Sequence, residues 1–173
     1  MLAAAGMLVP DKALAETLTE VGKATIKPPA LKQGDTVAIT SPAGAVWDPA
    51  QIETFSAILK GFGFKVVLGK TLSEKFGYFA GTDELRAQEL NSFFADQTIK
   101  GIFCMKGGWG CARLLDKLDY ALIEKNPKVL IGFSDITTLL IAISTKTGLV
   151  TFHGPVGNSG WNAWTSEVFK SVT

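Results

Sequence analysis

The run Ile131-Gly132-Phe133-Ser134-Asp135-Ile136-Thr137 puts a serine between an apolar strand and the start of a helical pattern. A serine there can sit on a sharp turn with Oγ pointing out of the fold. The N–H groups that follow it belong to a first helical turn and have no intrahelical partner, so they can receive a developing oxyanion. Gly132 before it lets another segment approach closely. The run departs from the hydrolase elbow G-x-S-x-G, because Ile136 stands where the second glycine would be. The same residues also read as a plain helix cap, with Ser134 at the N-cap and Asp135 complementing the helix dipole.

Two further turns could carry chemistry. Lys106-Gly107-Gly108-Trp109-Gly110 follows the apolar run ending at Met105, and its N–H groups could serve an oxyanion or a phosphate. It is weak as a dinucleotide fingerprint, since Cys111, Ala112 and Arg113 stand where a third glycine would be sought. Cys111 reads as a thiol nucleophile or as a small buried residue of a tight turn, and the second reading is favoured. His153, the single histidine, is a candidate base for Ser134 or a structural, cleft-lining residue; with no acid partner nearby in sequence, the latter is favoured. Ser41-Pro42-Ala43-Gly44 is the third turn.

The elements that must position these turns alternate. Asp35–Thr40, Phe64–Leu68, Ile102–Met105, Val129–Gly132 and Leu149–Phe152 read as strands. Helices are expected from Ile52 to Gly61, from an N-cap at Thr82 through Phe94, over Ala112–Leu118 and over Asp135–Thr145. Gly69–Gly81 reads as a polar loop, and Gly154–Thr173, with Trp161 and Trp164, as a stretch without a closing element. Continuous apolar strands between helices predict an α/β fold: a doubly wound, mostly parallel, flavodoxin-like sheet with helices on both faces. In such sheets ligands bind beyond the carboxyl ends of the strands, where all three turns fall.

The 173 residues suit one such domain, and the net charge of +1 gives no long-range attraction for nucleic acid or anionic membrane. Two cysteines and one histidine make neither a disulfide framework nor a multi-histidine metal site, and no carboxylate motif for a metal is present. Leu2–Val9 is an apolar run too short to span a bilayer. Followed by Ala13-Leu14-Ala15, it looks like the tail of an export signal without a positive n-region. The alternative is a disordered leader continuing through Lys27-Pro28-Pro29, so residues 1–30 are set apart as a leader. A cytoplasmic location is the expectation, with export as the alternative.

Several stretches in order resemble the LD-carboxypeptidase family of serine peptidases. They are Leu31-Lys32-Gln33-Gly34-Asp35, Ser41–Gly44, Lys106–Gly110, Arg113-Leu114-Leu115-Asp116, Leu118-Asp119-Tyr120, Asn126-Pro127-Lys128, Ile131–Thr137 and Thr151-Phe152-His153-Gly154-Pro155. The resemblance implies a flavodoxin-like (class I glutamine amidotransferase-like) domain over residues 31–173, bearing the nucleophile of a Ser-Glu-His triad at Ser134. Oxyanion donors would be the backbone N–H groups of Gly108 and Asp135, and Trp109, Lys106 and His153 would border the substrate. The implied reaction is hydrolysis of an L,D-peptide bond, releasing terminal D-alanine from murein-derived tetrapeptides in cell-wall recycling, without cofactor or metal. The resemblance also implies a homodimer. The family's Glu and His lie in a C-terminal domain that this chain does not include, and His153 matches a different family histidine near the cleft. Two other readings remain: a peptide-binding fragment without turnover, and a flavodoxin-like domain that binds a phosphorylated ligand at Gly107–Gly110.

Overall fold

The computed structural model describes residues 23–172. The elements run β1 (Thr36–Thr40), α1 (Pro49–Gly61), β2 (Lys65–Leu68), α2 (Asp83–Ala95), β3 (Ile99–Cys104), α3 (Tyr120–Lys125), β4 (Val129–Gly132), α4 (Thr137–Thr147), β5 (Phe152–His153) and α5 (Ala163–Val172), with short 3₁₀ turns at Lys70–Leu72, Cys111–Lys117 and Ser134–Ile136. The strands form one sheet in the order β2-β1-β3-β4-β5, and every pairing is parallel. This is the flavodoxin-like order, whose topological switch point lies between β1 and β3.

Alternation along the strands sorts the core into two halves. Ala38, Ile102, Cys104 and Leu130 pack with Leu90 and Phe94 of α2, Ile123 of α3 and Leu139 and Ile143 of α4. Val37, Ile39, Phe103 and Ile131 pack with Phe55 and Leu59 of α1 and Phe169 of α5. Local chemistry sets the helix ends. Asp48 accepts from Ala50 N at 3.0 Å ahead of Pro49. Thr82 accepts from Leu85 N at 3.3 Å. Gly148, at φ 81°, ends α4 by donating to Ser144 O at 2.8 Å.

Several details depart from the sequence expectation; the helix expected over Ala112–Leu118 is a 3₁₀ turn, Cys111–Lys117, ahead of the unexpected α3. The fifth strand is Phe152–His153, not Leu149–Phe152, because Leu149 pairs with Ile26. Ile26 and Val150 exchange backbone hydrogen bonds with this segment (Ile26 N to Gly148 O, Val150 N to Ile26 O, both 2.8 Å), so the chain at Ile26 is held against the fold rather than disordered. Residues 1–22, with the export-signal candidate, lie outside the described residues. The stretch after Gly154 does close: α5 turns Phe169 onto Phe62 and Phe103, and Trp161 packs tilted or edge-on among Phe55, Phe62 and Phe169 with centroids 5.4–6.0 Å apart. The helix expected from Asp135 begins as a 3₁₀ turn and becomes α only at Thr137. Among the described residues, no helix is long and apolar enough to cross a membrane.

Candidate active site

The carboxyl ends of β1, β3, β4 and β5 deliver Ser41–Gly44, Lys106–Gly110, Phe133–Asp135 and His153–Pro155 to one end of the sheet. Backbone bonds tie them edge to edge: Met105 N to Thr40 O at 2.7 Å, Gly44 N to Gly107 O at 3.3 Å and Gly154 N to Gly132 O at 3.0 Å.

Ser134 is exposed and has φ 62°, the left-handed region, which no other non-glycine residue among those described adopts. An L-residue there is strained, and such strain collects at functional turns. An N-cap residue has extended backbone and accepts with its side chain. Here Phe133 is the extended residue before the 3₁₀ turn, and no side-chain cap bond is made. The turn is therefore an elbow rather than a serine cap. Two glycines make room for it. A Cβ on Gly107 would lie 2.8 Å from Ser134 Cβ and 3.1 Å from its Oγ. A Cβ on Gly132 would lie 2.6 Å from Ile136 Cγ2, so the isoleucine that breaks the G-x-S-x-G spacing folds back into the space Gly132 leaves.

The glycine turn is bound to the serine turn through Asp135, whose Oδ2 accepts from Cys111 N at 2.9 Å. That N–H is thereby taken, and a fixed carboxylate sits at the end of the turn, which counts against a phosphate cradle there. Cys111 is fully buried; burial first, then the Asp135 carboxylate, push its thiol far up, away from the thiolate a nucleophile needs. The favoured reading of Cys111 as a packed small residue agrees with this. Lys106 is half-buried and its Nζ donates to Ala45 O at 3.1 Å. Trp109 is 54% exposed.

His153 pairs with Gly132 in the β4–β5 register, and its exposed ring meets Phe133 edge-on at 6.2 Å. Among the described residues, no hydrogen bond joins the Ser134 hydroxyl to His153 or to a carboxylate. The fold brings the serine, both turns and His153 to one end without assembling a triad.

Sequence reasoning passed over Tyr78, Phe79 and Arg86. Tyr78 lies against Gly108, whose added Cβ would collide with the phenol oxygen, and stacks on Trp109 at 5.7 Å. Phe79 meets Trp109 edge-on at 4.5 Å and is pinned by bridges to Gly44 and Phe76. Arg86 is fully buried beneath the same turns. Tyr78 and Phe79 fell inside a Gly-punctuated loop and Arg86 inside a helix whose other signals were ordinary, so nothing local marked them.

Residues 37–154 match the sequence profile of the LD-carboxypeptidase N-terminal domain. A Bacillus subtilis protein named as a probable murein peptide carboxypeptidase is 45% identical over 130 residues, covering 75% of this chain and 40% of that protein. The murein tetrapeptide carboxypeptidase of Pseudomonas aeruginosa is 37% identical over 121 residues, 69% of this chain and 39% of that protein. Among solved structures, the microcin C7 self-immunity protein in its apo state superposes with a TM-score of 0.80 at 35% identity, over 85% of this chain and 46% of that one. The chain thus spans about two fifths of the length of the curated relatives it matches.

Proposed function

The chain belongs to the LD-carboxypeptidase family, and on that premise we propose that it is the nucleophile-bearing half of a serine peptidase cleaving the L,D-peptide bond before a terminal D-alanine in murein-derived peptides. The observation that carries this is Ser134, an exposed serine held at φ 62° on a strand-to-helix elbow.

In this reading a base takes the Ser134 proton, Oγ attacks the peptide carbonyl, and the tetrahedral oxyanion is received by the N–H groups of Gly108 and Asp135. The base returns that proton to the leaving nitrogen as the C–N bond breaks, giving an acyl-enzyme and free D-alanine. Water deprotonated by the same base then releases the peptide and restores the Ser134 hydroxyl. Trp109 and the Tyr78 stacked on it wall the cleft beside Gly108. Lys106 and His153 flank the bound peptide. The base and its carboxylate partner are assigned to the part of the relatives' length that this chain does not span, because His153 makes no bond to Ser134. The intact protein acts as a homodimer in this proposal, and the isolated chain turns over little or nothing, since triad members act as a unit.

The test is D-alanine release from murein tetrapeptide by the intact protein, with and without Ser134→Ala. A fall of several orders of magnitude in the variant is expected. Unchanged release would remove Ser134 as nucleophile.

A further inference from the structure

Arg86 is the largest side chain in the fold with no solvent exposure, and it lies in the first turn of α2, away from Ser134 in sequence. Burying a guanidinium is costly unless its donors are used. Its Nη1 donates to Pro42 O at 2.6 Å and reaches Gly110 O at 3.4 Å, and its Nη2 pairs with Asp83 Oδ1, while its Nε is buried without a partner among the described residues. Its plane lies over Phe79, 4.8 Å from the ring centroid. Nη1 thus holds together two turns from different strands, the one after β1 and the one after β3. They flank the β1/β3 switch point.

The connection continues to the nucleophile. Gly110 precedes Cys111, whose N–H holds Asp135 Oδ2 at 2.9 Å, and Asp135 follows Ser134. Cys111 Sγ contacts the Pro42 carbonyl that Arg86 also holds, at 3.8 Å. Asp83 in turn is gripped from outside by Arg113, with Nε at 2.9–3.0 Å from both carboxylate oxygens and Nη2 at 2.8 Å from Oδ2. A planar fork can meet two carbonyls and a carboxylate at once; an ammonium cannot.

We propose that Arg86 is a positioning residue: its guanidinium locks the Gly108–Gly110 turn to the Pro42 turn and so, through Cys111 and Asp135, fixes the spacing between the backbone N–H of Gly108 and that of Asp135. It touches no substrate. Its effect falls on the transition state, where donor placement counts, and not on ground-state peptide binding. Asp83 and Arg113 aim the fork.

The kinetic arm of the test rests on the peptidase reading; the exchange arm does not. In the 173-residue chain, Arg86→Met is expected to speed amide hydrogen exchange at least tenfold at Gly44, Cys111 and Arg113, whose N–H groups are bonded to Gly107 O, Asp135 Oδ2 and Gly110 O, with β1 and β3 strand amides unchanged. Unchanged exchange at those three amides overturns the proposal, and so does equal acceleration across the strands, which marks a merely structural role. If Arg86→Met does not fold, Arg86→Lys, which keeps the charge and loses the fork, gives the same reading. In the intact protein, Arg86→Lys is expected to lower kcat for D-alanine release about 10²-fold with KM within twofold. An unchanged kcat, or a loss carried wholly by KM, overturns the proposal. A wild-type protein that releases no D-alanine refutes the peptidase reading instead, and the exchange arm still decides the role of Arg86.

Discussion

Replacing Ser134 by glycine and, separately, by alanine measures the strain at the elbow, because both changes remove the hydroxyl and differ only in the Cβ. At φ 62° the alanine retains the clash between Cβ and backbone that the left-handed region imposes. That clash costs about 1–2 kcal/mol, and glycine escapes it. The greater freedom of glycine in the unfolded chain returns about 0.4–1 kcal/mol. Ser134→Gly should therefore be more stable than Ser134→Ala by about 0.8 kcal/mol. In a domain of this size that is a rise in Tm of about 2–3 °C. Thermal unfolding followed by circular dichroism and by calorimetry at one pH reads the difference directly. An alanine variant as stable as the glycine variant would falsify the strained elbow, and with it the observation on which the nucleophile assignment rests.

Other perturbations reach different parts of the fold. Gly107→Ala places a methyl 2.8 Å from Ser134 Cβ; a loss of about 1–3 kcal/mol is expected, and an unchanged Tm would show that the two turns are not in contact. Phe169→Ala empties a site shared with Phe62, Phe103 and Trp161 and should cost about 3–5 kcal/mol in chemical denaturation, against less than 1 kcal/mol if α5 is only loosely docked. Burial pushes the Cys104 thiol from 9.0 up to about 12 and raises Cys111 as well. The folded chain then holds protons that the unfolded chain releases, so stability is full below pH 9.0 and falls as pH climbs toward 12. At pH 8 a thiol reagent should titrate neither cysteine until denaturant is added; a thiol that reacts in the native protein contradicts this. Asp83 is held below its ordinary 3.8 first by its hydrogen bond from Arg113, with Arg86 adding to it. Its contribution is therefore present above that pH and lost as pH falls through the lowered value. Asp83→Asn should flatten the acid limb of stability, and an acid limb identical to wild type would show the ion pairs to be idle.

The α/β alternation and the position of each turn were legible in the sequence, because apolar strand runs and glycine punctuation are local properties. Ile102–Met105 and Val129–Gly132 announce buried parallel strands by composition alone, and Thr82 announces the start of α2 by its chemistry. Less local features were misread. The fifth strand shifted because Leu149 is paired by Ile26, and α5 went unseen because the value of Phe169 lies in aromatic partners elsewhere in the chain, Phe62 just after α1 and Phe103 on β3. At the site, the sequence by itself determined which residues stand at strand ends: Ser134, Asp135, the Lys106–Gly110 turn and His153. Whether Ser134 caps a helix or stands on an elbow was a matter of one backbone angle, which the Gly107 and Gly132 contacts allow and the residue's own identity does not encode. Arg86 owes its place to the carbonyls of Pro42 and Gly110, 44 and 24 residues distant. Such meetings exist only once the sheet has closed, so tertiary structure alone decided them.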